Sequence, residues 1–335
     1  MSNGILSAHS ISNLVKDGAI TFPHSSLGQG QIQPASLDLR LGHKAYRLRA
    51  SFLPGTDRTI EDCLNDVSMH EINLKDGAVL ETGCVYLVPL LEGLSLPTHL
   101  SAAANPKSST GRLDVFTRVI CDGCSQFDAI AHGYNGSLYL EIAPRTFSIL
   151  VRTGDRLAQI RFRDGEQTIL STETVSIDLK GDGSNSIIGY RARRHSGLVD
   201  VAHVNGHVAE DYWQPIYAPD ETLILDPNEF YILVSKESVS IPADQAAEMA
   251  PIATEIGEFR AHYAGFFDPG FGTSGQGSKA VLEVRGRDVP FMLRHGQPVA
   301  KLVFEAMQST PETLYGENGS NYQGQALRLS KHFKM

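Results

Sequence analysis

One module is written twice in this chain, and the two copies have diverged in complementary places. Tyr86, Glu92, Ser95, Pro97, Ala102 and Pro106 recur at Tyr231, Glu237, Ser240, Pro242, Ala247 and Pro251, every pair 145 positions apart. A constant offset of this kind marks an internal repeat. In a second register Leu140, Glu141, Arg145, Arg152, Gly154, Ala158 and Phe162 recur at Leu282, Glu283, Arg287, Arg294, Gly296, Ala300 and Phe304, so the copies differ by a small net deletion. The stretch NPKSSTGRLD (105–114) reads APIATEIGEF in the second copy, and the second copy has FFDPGFG where the first has AIAHGYNG. Each copy has kept what the other lost.

The length of 335 residues accommodates two domains of about 100–200 residues. The expected division is 1–165, a linker over 166–195 where the sequence turns polar and Gly-rich (KGDGSN, GYRARRHSG), and 196–335. Residues 7–18 read as a short helix, with Ile11, Leu14 and Val15 on one face, Ser7 as N-cap and Gly18 as its stop. Beyond it, runs such as CVYLVPL, SLYLEI, FYILVSK and KAVLEV are short, β-branched or aromatic, and bounded by Gly, Pro or Asp. The class is therefore expected to be all-β dominated, as barrels or sandwiches. The second copy has no clear counterpart of the helix, and LVDV (198–201) faintly echoes SLDL (36–39). The last stretch, YGENGSNYQGQALRLSKHFKM, is polar without strand alternation and reads as a tail whose composition suits disorder.

A formal charge of −9 argues against generic nucleic-acid binding, which depends on a basic surface. No apolar run of about 18 residues suggests a membrane span, and the N-terminus lacks the pattern of a secretory signal. A cytoplasmic location is the expectation. Cys63, Cys84, Cys121 and Cys124 are too few for a disulfide scaffold and read as free thiols.

Four constellations bear on chemistry. Lys107, Ser108, Ser109 and Arg112 crowd two cations and two hydroxyls into one turn, donors that suit a polyphosphate, although for the bare pattern alone a solvated loop is the preferred reading. Glu141 and Glu283 each follow a Leu in a strand, where a carboxylate raised in pKa by burial could act as general base; an exposed strand Glu is the bland alternative. Asp268, Pro269, Gly270 and Phe271 form a turn able to present backbone groups to the edge of a base, or simply a hairpin turn. The Cys121-Asp-Gly-Cys124 pair supplies only two metal ligands, with no His-x-Glu and no preceding Pro, so the zinc-deaminase pattern is missing.

Taken together and in order, IQPASLDLRLG (32–42), SLP followed by PKSSTGR, GYNGSLYLE, DPGFG and the YQGQ tail resemble the dCTP deaminase family, in a form with the module duplicated. The resemblance implies two tandem dUTPase-like distorted β-barrels, and hydrolytic deamination of dCTP to dUTP and ammonia without catalytic zinc. Mg²⁺ would arrive with the triphosphate. By position, Glu141 and Glu283 both match the family's general base for the water attacking C4 of cytosine, assisted by residues matching Ser108 and Arg112. Lys107 and Ser109 would hold phosphates, Asp268, Gly270 and Phe271 the base, and Tyr322 and Gln323 of the tail would contact phosphate. Because Ile252, Ala253, Thr254 and Gly257 replace the phosphate-loop residues, one composite site is expected, joining loop 107–112 to the hairpin 268–283, with Glu283 as base. A homo-oligomer is expected, and dTTP is a candidate inhibitor. A dUTPase or bifunctional enzyme using Asp268 as base, and a non-catalytic nucleotide-binding regulator, stay open.

Overall fold

The repeat in sequence is a repeat of strand pairing. In the first copy Leu100–Pro106 lies between Ala129–Ile130 and Arg156–Asp164, and Ser36–Arg40 flanks the latter on its far side. In the second, Gln245–Pro251 lies between Phe266–Phe267 and Pro298–Ala306, and Ile169–Ser176 takes the flanking place. Each copy adds a second sheet, built around Val85–Ser95 with Asn135–Pro144 and around Phe230–Val239 with Ser278–Gly286. This is a computed structural model, and it describes residues 3–183, 186–251, 259–261 (backbone only), 265–317 and 322–334. The chain is β-dominated, as its alternating segments require. Among the described residues no helix is long and apolar enough to cross a membrane.

The N-terminal helix spans Ala8–Lys16 with Ser7 at its N-cap, and buries Ile11. Ser7 makes no side-chain cap bond; its hydroxyl meets that of Ser309, 2.9 Å away, so the cap residue links the two copies instead. A second helix, Ile60–Val67, lay outside the sequence reading. Thr59 and Asp62 close a reciprocal capping box at its start, an arrangement that satisfies two otherwise orphaned N–H groups.

The stretch 166–195, expected to be a linker, contributes two strands. Ile169–Ser176 pairs along Pro298–Ala306, and Gly189–Ala192 pairs with both Trp213–Ile216 and Phe230–Val239. The first is an edge strand whose residues 169–174 are all exposed, and an edge needs no hydrophobic alternation to be paired. Nor does LVDV occupy the place of SLDL: Val199–Asp200 runs parallel to Ile149–Leu150 of the first copy, and Arg152 holds Asp200 through two bonds of 2.7 and 2.9 Å. The chain therefore returns to the first copy after 195 before completing the second.

The tail is packed. Phe333 lies against Tyr212, Trp213, Phe147 and His207, with centroids 5.2 to 6.2 Å apart, and Phe333–Lys334 pairs in parallel with His207–Val208. Leu329 and Phe333 are fully buried, each worth about 1.5–3 kcal/mol by apolar burial. Two anchoring side chains outweigh a polar composition here.

The copies also share a core. Phe230, Ile232, Val234 and Val281 of the second belong to the same cluster as Leu37, Leu113 and Val119 of the first. Polar braces flank it: Arg163 grips Glu305 at 2.7 Å, Asn105 donates to Glu248 at 2.8 Å, and Arg285 pairs with Asp114.

Candidate active site

Strand Leu100–Pro106 ends at Lys107, whose N–H donates to Leu157 O (2.9 Å), and the chain then makes one helical turn, Ser108–Gly111. The first N–H groups of such a turn have no acceptor within it, and Ser108 lines the cavity beside them. Lys107 pairs with Asp38, and Arg156 lies 3.5 Å from the other oxygen of the same carboxylate. Asp38 comes from Ser36–Arg40, which explains why SLDL accompanies the loop.

Glu283 sits on Ser278–Gly286, opposite Ile232. Alternation along this strand sends Ala280, Leu282 and Val284 into the second copy's own core, while Val281 and Glu283 face the first copy. The result is a cavity of about 650 Å³ lined by Lys107, Ser108, Ser109 and Arg112 of the first copy and Asp268, Phe271 and Glu283 of the second. That size suits a small-molecule site. Residues of both copies thus line one cavity.

The second copy's hairpin is fixed by backbone shape. Gly270 (φ +90°) donates to Ile241 O at 3.0 Å, and a Cβ there would lie 2.6 Å from Leu314 Cβ. Phe271 stands edge-on to Phe267 and is tilted against Tyr315. Asp268 is buried and accepts from Arg161 at 3.2 Å; burial pushes its carboxyl above the usual range, against the pull of Arg161.

The tail closes one side. Arg112 donates to Gln325 Oε1 (3.0 Å) and Arg328 O (3.1 Å), and its guanidinium lies 3.9 Å from the Tyr322 ring centroid. The Ser330 hydroxyl lies 2.8 Å from both Ser109 O and His332 Nδ1, and His332 Nε2 lies 3.1 Å from Val201 O. Burial lowers His332 to about 4, so the ring is neutral at ordinary pH and donates from Nε2 to the carbonyl.

Not every expected residue arrives. Glu141 lies outside the cavity, held by Arg118 and by the Ser51 hydroxyl at 2.5 Å, while Phe127 stacks on Arg118 at 3.8 Å. The insertion around 121–127 thus fills the space beside the first copy's Glu with the chain's own side chains. Gln323, expected at phosphate, instead clamps the turn, accepting from Gly272 N (2.9 Å) and donating to Gly270 O (3.0 Å); Gly270 itself is not a lining residue. Tyr322 lines the cavity beneath Arg112. Ile252, Ala253, Thr254 and Gly257 lie outside the described residues. Sequence reasoning missed Tyr315, Gln325, Asp38, Arg156 and Lys331 as lining residues; Asp38 and Gln325 stood within quoted motifs and were the recoverable ones. Cys121 and Cys124 are buried thiols in one turn, and among the described residues no cluster of three or more metal-binding side chains occurs.

A second cavity of about 630 Å³ lies on the other face of the same loop, lined by Gly111, Asp114, Thr117, Asp128 and Glu248. Burial pushes the Asp128 carboxyl from 3.8 up to about 7, although it accepts from Val119 N at 2.7 Å. A carboxyl raised in the folded state binds its proton more tightly there, so stability falls as pH rises from about 4 to about 7. Asp128→Asn is expected to flatten that segment of the profile and to raise the urea midpoint at pH 7.5 relative to wild type. Unfolding curves at pH 5 and 7.5 check this, and an unchanged pH slope would contradict it.

Two family models cover the chain: the 2'-deoxycytidine 5'-triphosphate deaminase N-terminal domain over residues 2–166 and the C-terminal domain of the same family over 148–333. The chain belongs to the dCTP deaminase family. A crystal structure of 2'-deoxycytidine 5'-triphosphate deaminase from Agrobacterium tumefaciens is 52% identical, with a TM-score of 0.89 over 93% of this chain and 100% of that one. A dCTP deaminase of Haloarcula marismortui is 30% identical over 137 residues, which is 40% of this chain and 67% of that protein. A dUMP-forming dCTP deaminase of Kocuria rhizophila is 34% identical over 134 residues, 37% of this chain and 67% of that protein. The curated relatives thus match the family through part of this chain, and the Agrobacterium structure matches it nearly end to end.

Proposed function

We propose that this chain deaminates dCTP hydrolytically, to dUTP and ammonia, in the cavity between its two copies. The observation that carries the reading is that Lys107, Ser108, Ser109 and Arg112 of one copy and Asp268, Phe271 and Glu283 of the other line one space. The substrate is Mg²⁺-bound dCTP, with its phosphates toward Lys107 and its cytosine toward the turn at 268–272. Glu283, buried on a strand facing the loop, takes a proton from water as that water adds to C4 and returns it to the departing amine, the role of a positioned carboxylate. Ser108 and Arg112 stabilise charge developing on the ring. No zinc is required. In architecture the copies are two tandem dUTPase-like distorted barrels, and the chain works as a cytoplasmic homo-oligomer, with dTTP as a candidate inhibitor.

A second reading, continued hydrolysis to dUMP, is favoured by the name of the Kocuria relative. Against Asp268 as its base stands the Arg161 contact, which occupies that carboxylate. Incubation with Mg²⁺ and either dCTP or dUTP, with chromatographic separation of dUTP, dUMP and pyrophosphate, decides the matter. Conversion of dCTP to dUTP alone is expected. Formation of dUMP would install the second reading, and nucleotide binding without turnover would leave a regulator.

A further inference from the structure

The turn that lines the first cavity also lines the second, which the proposed reaction does not use: Pro106, Gly111 and Asp114 face it. Its walls are largely apolar, with Phe116, Met249, Pro251 and Val303 among them, and they hold acceptors that the protein leaves half used. Asp128 accepts from Val119 N at 2.7 Å and Glu248 from Asn105 Nδ2 at 2.8 Å, each through one oxygen. The second oxygen of each carboxyl makes no hydrogen bond or ion pair to a described residue. Thr117 is an independent sign: it lines the cavity, is 3% exposed, and its hydroxyl has no hydrogen-bond partner among the described residues. A buried polar group left unpaired costs about 1–3 kcal/mol, which a donor brought by a ligand removes. The lining cation Arg118 is already spent on Glu141, to which its Nε donates at 3.0 Å, and Asp114 is paired with Arg285.

We infer that this second cavity binds a small organic cation, an apolar body with an amidinium or ammonium head held by Asp128, Glu248 and the Thr117 hydroxyl. The class of ligand follows from the balance of groups: three unspent acceptors, no unspent cation among the described lining residues, and walls that favour carbon. A phosphate or carboxylate would meet two carboxyl groups there instead of donors. An amidinium fits well, because its paired N–H groups reach acceptors on two residues at once and each bond is charge-assisted. The volume of about 630 Å³ suits such a molecule. Its charge state is set by the neighbours. Asp128 faces Arg118, Glu248 and Glu141, and Glu248 faces Arg161, Arg163 and Glu305. Burial pushes both carboxyls up, Asp128 to about 7, and the Glu248 charge adds to the rise at Asp128. A bound cation favours the ionised forms, so binding releases protons and tightens as pH rises through that range. The site stands whether or not the first cavity deaminates dCTP.

The test is calorimetric titration of the full chain with benzamidine, an aryl amidinium that stays charged at pH 6 and pH 8, and with benzoate as its anionic counterpart. Benzamidine should bind wild type about fivefold to tenfold more tightly at pH 8 than at pH 6, because a carboxyl that titrates near 7 passes from mostly neutral to mostly ionised over that interval. Benzoate should not bind, and saturating dCTP should leave benzamidine binding in place. Asp128→Asn keeps an acceptor for Val119 N and removes the charge; it should weaken binding about tenfold or more at pH 8, the worth of a charge-assisted hydrogen bond, and remove most of the pH dependence. Glu248→Gln, which keeps an acceptor for Asn105, should weaken binding by a similar factor, and Thr117→Val by about fivefold. Three variants on three elements keep the test intact if one of them does not fold. Equal benzamidine affinity in wild type and the folded variants, benzoate bound as well as benzamidine, displacement by dCTP, or no benzamidine binding at millimolar concentration by titration and thermal shift each overturns the assignment.

Discussion

Glu283→Gln is expected to lower kcat for dCTP by about 10²- to 10⁴-fold, the usual contribution of a positioned general base, with dCTP binding retained. Glu141→Gln is expected to leave kcat within about twofold. The two residues are equivalent in the repeat and equally buried, so composition and burial cannot separate them. What separates them is place: Glu283 lines the cavity with Ser108 and Arg112, whereas Glu141 lies outside it, beside Arg118, Ser51 and the stacked Phe127. Glu141→Gln should appear instead as lost stability, about 1 kcal/mol because Arg118 is partly exposed and screened. Rapid-quench and steady-state assays on both variants, with a denaturant curve for each, make the comparison. An active Glu283→Gln with an inactive Glu141→Gln would sink the composite site.

Arg161→Met should be the most destabilising single substitution at the junction of the copies. Arg161 donates to Ala247 O (3.1 Å), Phe267 O (3.3 Å) and Asp268 (3.2 Å), and its guanidinium lies 4.1 Å from the Phe266 ring centroid. Its side chain is 2% exposed. Removing the cation leaves the buried Asp268 carboxylate without its donor and takes from the Ala247 and Phe267 carbonyls a bond additional to those of their strand pair, a loss of about 3–5 kcal/mol for a broken buried pair. Asp268→Asn added to Arg161→Met should recover part of that stability, because the unpaired charge goes with it, while dCTP turnover stays low. The cost in the single variant should also grow with pH. With the Arg161 pull gone, the folded Asp268 pKa rises further above its unfolded value, and stability is lost as pH passes upward through that range. Guanidinium unfolding at two pH values reads both effects. A cost below about 1 kcal/mol at pH 8 would mean that Arg161 is not the brace its geometry describes.

Much of the cavity's lining was legible in the sequence because the signals were local and chemical. The donors at 107–112 and the glycines of the turn at 268–272 must be adjacent in sequence to act together, so motif spacing preserved them. The linker was misjudged for the opposite reason. Ile169–Ser176 is an edge strand with an exposed face, and pairing with Pro298–Ala306 leaves no periodic trace in its own residues. The tail was misjudged because its anchors, Leu329 and Phe333, are two side chains in a polar stretch, and the Phe333 partners Tyr212, Trp213 and Phe147 lie over a hundred positions away.

The sequence by itself determined the duplication, the β-dominated class, the family and the complementary survival of loop and hairpin, since each is a property of residue order. Tertiary structure alone decided which glutamate faces the loop, that Gln323 clamps a turn, and that Phe333 of the tail packs against Phe147 of the first copy. Those depend on which strands pair across the copies and on which charges are already satisfied, and both are set by contacts between segments distant in the chain.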